Sequence, residues 1–161
     1  MEWQAGRALV KILMERQGLA FNGVTKDEFG KPFPIGCRYQ LALSHSYPYV
    51  AALLDKDRPV GIDIEQPKSK LLRIAPRILD KNEMENAGDN LIKHCIYWCA
   101  KETLIKVHGK KDLTLTEHLK ISPFQLSQEG NIIGRIIVDK KEDIIPLAYS
   151  VEDSFVMVLS L

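Results

Sequence analysis

The spacing of the hydrophobic residues changes along the chain. Between residues 3 and 17 they recur at intervals of three and four, which predicts an amphipathic helix ending at Gly18. Three short apolar runs then predict strands, at residues 39–43, 49–54 and 59–65. The polar residues 55–58, between the last two runs, have the composition of a hairpin loop.

A helical spacing returns between residues 71 and 108, with breaks near Asp80 and Gly88, and residues 91–108 form its longest uninterrupted part. Three further runs predict strands at residues 132–138, 144–151 and 155–159. Strands, then helices, then strands predict an α+β fold with a largely antiparallel sheet. No repeat or long linker divides the chain, so we expect residues 1–161 to form a single domain.

Charge and composition exclude several functions. The 22 basic and 21 acidic residues nearly cancel, so we expect neither wrapping of nucleic acid nor adhesion to an anionic membrane. No stretch approaches the roughly 20 apolar residues of a membrane span. Three cysteines are an odd set in a domain large enough to fold without disulfides, which predicts the reducing cytoplasm.

Two acidic residues alternate with apolar ones at the end of the 59–65 run. Side chains on a strand alternate between its two faces, so Asp63 and Glu65 point to the same side. A sheet edge with its polar face in water would give the same pattern. A further acidic residue, in the longest predicted helix, favours a shared binding site for the carboxylates over such a sheet edge.

That position lies in the longest predicted helix, where Trp98, Glu102 and Lys106 are spaced four residues apart and Lys101 lies beside them. A surface ion pair between Glu102 and Lys106, worth about 0.3–0.5 kcal/mol, is the common explanation of such a pattern. Trp98 instead places this side of the helix against the core, where a carboxylate needs a compensating charge such as a metal ion. Magnesium bound to a pyrophosphate would suit three such carboxylates.

Four motifs carry a resemblance to a known family. Residues 61–65 (Gly-Ile-Asp-Ile-Glu) and 98–106 (Trp-x-x-Lys-Glu-x-x-x-Lys) resemble the paired signature of the 4′-phosphopantetheinyl transferase superfamily. Residues 30–32 (Gly-Lys-Pro) and 43–46 (Leu-Ser-His-Ser) stand in the order and spacing of its longer, surfactin-synthetase-activating type. Each motif alone is weak, but the four in order are highly specific, and they span essentially the whole chain.

The resemblance implies two similar α/β lobes around a coenzyme A cleft, each with a small, mostly antiparallel sheet packed by a helix. Residues 1–58 would be an incomplete first lobe, and residues 59–161 a second lobe carrying the metal site. Longer members have additional sequence before the helix that begins here at Trp3, including basic residues that bind the 3′-phosphate. An incomplete lobe would expose a sheet edge, which predicts a homodimer.

The resemblance also assigns individual residues. It implies magnesium bound by three carboxylates: Asp63, Glu65 and Glu102. It implies contacts with coenzyme A from five residues: Lys31 near the adenine, Ser44 and His45 facing the 3′-phosphate, and Lys101 and Lys106 at the pyrophosphate. Glu83 matches a further acidic position, although a glutamate on a helix face is the more common explanation.

The implied reaction moves the phosphopantetheine arm of coenzyme A to a serine of an apo acyl or peptidyl carrier protein. The serine hydroxyl attacks the β-phosphorus, and 3′,5′-ADP leaves. The catalytic candidates are Asp63, Glu102 and Lys106. The two carboxylates would act by binding magnesium, and Lys106 by placing its positive charge at the leaving group. Either Glu102 or a metal-oriented water accepts the serine proton.

Other interpretations remain open. The chain could be an inactive coenzyme A- or carrier-binding module of the same fold. A magnesium nuclease with a D…E-x-K site fits less well, because Pro67 stands where the lysine is required. His94, Cys95 and Cys99 cluster on one helix, but no second pair completes a zinc site, so buried free thiols are expected. Lys110 and Lys111 are expected to be solvated loop charges.

Overall fold

The computed structural model describes residues 2–161, which form four α-helices, a short 3₁₀ turn and nine strands. The helices are α1 (Glu2–Arg16), α2 (Lys70–Ile74), α3 (Lys81–Ala87) and α4 (Leu91–His108), and the 3₁₀ turn is Ala75–Arg77. The strands are β1 (Val24–Lys26), β2 (Pro32–Pro34), β3 (Gln40–Ser46), β4 (Tyr49–Asp55), β5 (Ile62–Glu65), β6 (Leu119–Ile121), β7 (Glu129–Val138), β8 (Lys141–Val151) and β9 (Val156–Ser160).

The strands form three antiparallel sheets. β1 pairs with β2, and β3 pairs with β4 across a tight turn that places Ser46 opposite Tyr49. The remaining strands form one sheet in the order β5-β9-β8-β7-β6. The predicted α+β class with small antiparallel sheets is therefore confirmed.

The expected hairpin at residues 55–58 is wrong. β4 pairs with β3, whereas β5 pairs with β9, so these residues carry the chain from one sheet to another. The Asp55 carboxylate accepts the backbone N–H groups of Asp57 and Arg58, each at 2.8 Å, which closes a side-chain-to-backbone turn. Turns of this kind use the same polar residues as hairpin loops, so composition alone does not identify the strand that follows.

α4 is the central element of the fold. The Asn90 side chain accepts the backbone N–H of Lys93 at its start, and Gly109, with φ of 77°, ends it in the left-handed conformation. Its buried residues form the main core with β6–β9, and Trp98 packs against that core as predicted. The helix predicted at residues 91–108 to cover the sheet is thus confirmed. Among residues 2–161, no helix is long and apolar enough to cross a bilayer.

Gly61 allows β5 to approach α4 closely. A Cβ at this position would overlap the carbonyl oxygen of Thr103 and lie 3.0 Å from Val107 Cγ2. The overlap is with backbone, so a rotamer change cannot relieve it. A residue without a side chain is therefore needed where the strand that carries Asp63 crosses the helix that carries Glu102.

We predict that Gly61→Ala destabilises the protein by about 1–3 kcal/mol, because the added methyl forces β5 and α4 apart. Urea unfolding measures the effect. Gly6→Ala in α1 is the matched control: there the new methyl meets neighbours at 3.8 Å and 3.9 Å, which are ordinary contact distances. Since alanine is also the better helix former, this control should be neutral or stabilising. Equal stability of the Gly61→Ala variant and the wild type would contradict the close packing.

Candidate active site

Two hydroxyls of β3 hold two carboxylates of β5. Ser44 Oγ donates to Asp63 Oδ1 at 2.7 Å, and Ser46 Oγ donates to Glu65 Oε1 at 2.8 Å. The two serines are two residues apart on β3, and the two carboxylates are two residues apart on β5. Because side chains alternate between the faces of a strand, both hydrogen bonds form at the same interface. This fixes both carboxylates on one side of β5, as the sequence predicts for Asp63 and Glu65.

Lys106 brings positive charge to the same place. Its ammonium group lies 2.8 Å from Asp63 Oδ1 and donates to the carbonyl oxygen of Ile62 at 2.8 Å. Its side chain is 25% exposed, so it reaches the site from the cleft rather than from the core. Since an ammonium has three protons, these two bonds leave one for an oxygen of a bound ligand.

Glu102 lies one helical turn before Lys106 and interacts with both β5 carboxylates. Burial raises the pKa of Glu102, the negative charges of Asp63 and then Glu65 raise it further, and Lys106 acts in the opposite direction. The three carboxylates therefore share one electrostatic environment in which negative charge exceeds what Lys106 compensates.

The side chains as arranged do not form a closed metal site: within residues 2–161, no three His, Cys, Asp or Glu side chains are grouped closely enough to hold an ion. The donor chemistry nevertheless fits magnesium, because Asp63, Glu65 and Glu102 supply hard carboxylate oxygens and excess negative charge. In this arrangement the ammonium of Lys106 provides the positive charge beside Asp63.

Two neighbouring clefts lead to these side chains. One, of about 380 Å³, is lined by Ser44 and His45, and the other, of about 220 Å³, by Lys31, Glu102 and Lys106. Both are lined by three common residues: Gly30, Pro32 and Leu43. The motif residues of the first half of the chain thus line two neighbouring clefts instead of one: Lys31 shares the smaller cleft with Glu102, and Ser44 and His45 line the larger.

Two exposed loop lysines, solvated as expected, also contribute to the smaller cleft. Lys110 and Lys111 line this cleft together with Lys31 and Lys106. Burial lowers the pKa of Lys31, and the nearby charge of Asp27 opposes that shift. Four ammonium groups around one small cleft favour a ligand with several negative charges.

Three assigned residues have contacts that the sequence did not reveal. The Ser44 hydroxyl lines the larger cleft but donates to Asp63, so it also supports a carboxylate. His45 is exposed, and its Nδ1 lies 3.2 Å from Glu2 Oε2. Lys101 is fully buried in an ion pair with Glu83 at 2.6 Å. The expectation that Lys101 reaches the pyrophosphate is corrected accordingly, and Glu83 lies on a helix as expected but is buried.

Sequence reasoning also missed Ser46 as a support for Glu65. The signal was present, because Ser44 and Ser46 repeat with the same two-residue spacing as Asp63 and Glu65. This repeat predicts the contact between Ser46 and Glu65 only if β3 is known to lie beside β5. That is not evident from the sequence, because the two strands belong to different sheets.

The cysteines of α4 are buried thiols, as expected. Cys95 Sγ donates to the carbonyl oxygen of Glu65 at 3.7 Å. Burial, followed by contact with Cys95 and the charge of Asp63, raises the pKa of Cys99 well above its ordinary value. A raised pKa disfavours the thiolate, which is the form that binds zinc.

Comparison with known proteins shows which family the chain belongs to. A family model described as the 4′-phosphopantetheinyl transferase superfamily matches residues 59–157, more than half of the chain. This range contains β5, α4 and therefore all three carboxylates and Lys106. The chain belongs to the 4′-phosphopantetheinyl transferase superfamily. The resemblance carried by its motifs is thus confirmed.

Individual members of the superfamily show how far the similarity extends. The 4′-phosphopantetheinyl transferase ffp of Bacillus subtilis is 39% identical over 52% of this chain, and a putative 4′-phosphopantetheinyl transferase of Haemophilus influenzae is 31% identical over 63%. These matches cover 39% and 46% of the two relatives, less than half of either. The 4′-phosphopantetheinyl transferase AcpT of Salmonella typhimurium is 30% identical over 77% of this chain and 70% of its own length.

Proposed function

We propose that this protein transfers the 4′-phosphopantetheine arm of coenzyme A to a serine of an apo acyl or peptidyl carrier protein and releases 3′,5′-ADP. The observation that carries the proposal is that Glu102 interacts electrostatically with Asp63 and Glu65, while Lys106 bonds to Asp63 beside a cleft lined by further lysines. Membership of the superfamily supports the same conclusion. Coenzyme A has the phosphate groups that such a cleft favours.

The side chains divide the chemistry between them. Asp63, Glu65 and Glu102 would hold magnesium, which when bound neutralises oxygens of the pyrophosphate. Lys106 donates its remaining proton to a phosphate oxygen and so stabilises the charge that develops as 3′,5′-ADP leaves. Glu102 would accept the proton of the attacking serine, either directly or through an ordered water.

Coenzyme A would bind across the two neighbouring clefts. Lys31 lines the smaller cleft with Lys110 and Lys111, and His45 lines the larger one. Lys31, Lys110 and Lys111 can donate charge-assisted hydrogen bonds to phosphate oxygens, and these contacts fix the ligand in relation to the carboxylates.

We predict that Ser46→Ala raises the magnesium concentration for half-maximal transfer by about 10–100-fold, because Glu65 loses the donor that orients it. Transfer rates measured over a magnesium titration provide the test. Ser154→Ala, in an exposed loop, is the matched control and should leave the titration unchanged. An unaltered magnesium titration in the Ser46→Ala protein would show that Glu65 does not depend on this hydroxyl.

The wider organisation is also proposed. Residues 1–58 would form a first lobe, supported by the packing of α1 on the β3–β4 sheet, and residues 59–161 a second lobe with α4 on the larger sheet. Self-association as a homodimer remains a prediction; Trp3 and Ile12 on α1 are each 47% exposed. Light scattering at micromolar concentration tests it, and a clean monomer would refute it. The free thiols of the three cysteines support a cytoplasmic location.

Incubating the protein with coenzyme A, magnesium and an apo carrier protein, then weighing the carrier, tests the proposed function. We expect the carrier to gain the mass of one phosphopantetheine arm. A carrier whose acceptor serine is replaced by alanine should gain nothing. Tight binding of coenzyme A without any gain in mass would instead identify an inactive binding module.

A further inference from the structure

The most completely buried charges in the protein form an ion pair that the proposed chemistry does not use. Lys101 on α4 and Glu83 on α3 have side chains that are 0% and 2% exposed, with Nζ and Oε2 2.6 Å apart. Moving two charges out of water is costly, and well-packed apolar residues often stabilise a core equally well. The pair therefore calls for an explanation beyond stability.

Lys101 joins α4 to three other parts of the chain. Besides its bond to Glu83, its ammonium donates to the carbonyl oxygens of Ile78 and Leu115, each at 2.8 Å. These bonds use all three ammonium protons. Lys101 therefore has no proton left for a phosphate, and its position is fixed in three directions.

Glu83 extends the connection. Its carboxylate accepts the backbone N–H of Asp80, which closes the capping box at the start of α3, and that of Ile121 on β6. The ion pair thus ties α4 to α3 and to the edge strand of the large sheet. Each buried polar group of the pair is satisfied, which is the condition for such a network to specify one arrangement.

Lys101 immediately precedes Glu102, so the two side chains leave α4 about 100° apart. Lys101 points towards α3 and β6, whereas Glu102 lines the cleft. Because both side chains are attached to the same helix, fixing the direction of Lys101 also fixes the direction of Glu102. A rotation of α4 by about 20° would move a side-chain end roughly 2 Å at a helix radius of about 5–6 Å. A misplacement of about 1 Å at a reacting centre can cost about 10²-fold in rate.

We propose that the Lys101–Glu83 pair is a positioning device that sets the rotation of α4 and so holds Glu102 and Lys106 in place relative to Asp63. Neither member of the pair touches coenzyme A. The inference rests on the proposed function for its kinetic readout, and on the contact between Lys106 and Asp63 for a readout that needs no activity.

The decisive variant replaces both members of the pair, Lys101→Met with Glu83→Met. A single substitution leaves one buried charge without a partner and can prevent folding, whereas the double substitution removes both charges together. The backbone groups that bonded to the pair lose those partners, so we expect the double variant to fold but to melt below the wild type, and to bind coenzyme A within about two-fold in calorimetry. The rate constant kcat for arm transfer should fall about 10²-fold. The 2.8 Å contact between Lys106 and Asp63 should lengthen in its crystal structure.

The exposed pair Lys81–Glu85 on α3 is the matched control, and replacing both residues by methionine should leave all these quantities unchanged. A folded Lys101→Met/Glu83→Met protein with wild-type kcat and an unchanged Lys106–Asp63 contact would overturn the proposal. A raised KM for coenzyme A at unchanged kcat would overturn it too, in favour of a direct phosphate contact by Lys101. If the wild type itself transfers no arm, the proposed function fails, and the Lys106–Asp63 distance alone decides the positioning role.

Discussion

Replacing Asp63 by asparagine is expected to lower the rate of arm transfer by about 10³-fold or more while the protein remains folded. The substitution keeps the shape of the side chain but removes a full negative charge. The proposed metal ligand and the negative charge that pairs with Lys106 are lost together. Losing several kcal/mol of transition-state stabilisation corresponds to a rate effect of this size.

Steady-state kinetics with a carrier protein measure the effect, and circular dichroism confirms the fold. Asp153→Asn, in an exposed loop, changes the same charge on the surface and should retain full activity. An Asp63→Asn protein that transfers the arm at one tenth of the wild-type rate or faster would refute a central role for this carboxylate.

Replacing Glu102 by glutamine should raise the melting temperature of the metal-free protein and abolish transfer. The pKa of Glu102 is raised in the folded state, chiefly by burial and then by Asp63. The native state therefore binds more protons than the unfolded state between the ordinary pKa, 4.5, and the raised value. Stability falls as pH rises through that window, so above it ionised Glu102 destabilises the fold.

Glutamine removes this destabilisation, so the gain in melting temperature should be present at neutral pH and disappear below about pH 4. Thermal melts in a chelator across this pH range measure it. Adding magnesium should stabilise the wild type more than the variant, because the variant lacks one proposed metal ligand and a ligand stabilises a protein only as far as it binds. Glu117→Gln, outside the cluster, is the control. A variant that is less stable than the wild type at neutral pH would contradict the assignment of Glu102 to the carboxylate cluster.

The sequence predicted that Asp63 and Glu65 share one side of a strand because that signal is local. Asp63 and Glu65 alternate with buried isoleucines, and the register of β5 on β9 puts them where that alternation requires. Glu102 and Lys106 follow the helical repeat of α4 in the same way. Such spacings are set by the geometry of a single strand or helix, so they can be recognised without the rest of the fold.

Properties that depend on distant partners could not be predicted in this way. Lys101 stands in the motif beside Glu102, yet its partner Glu83 lies on α3, and nothing in the spacing shows that the pair is buried. Ser46 likewise depends on the packing of β3 beside β5. The strands β1, β2 and β6 were not predicted because they have only three residues each, too few to show an alternation, and β2 contains two prolines.

The central claim is tested most directly by quantifying both products of one reaction, the modified carrier protein and 3′,5′-ADP, with and without magnesium. Arm transfer predicts one 3′,5′-ADP for each carrier serine modified, and no formation of either product when the metal is chelated. Release of 3′,5′-ADP without modification of the carrier would indicate hydrolysis of coenzyme A. Undiminished modification of the carrier in the presence of a chelator would contradict the role proposed for Asp63, Glu65 and Glu102.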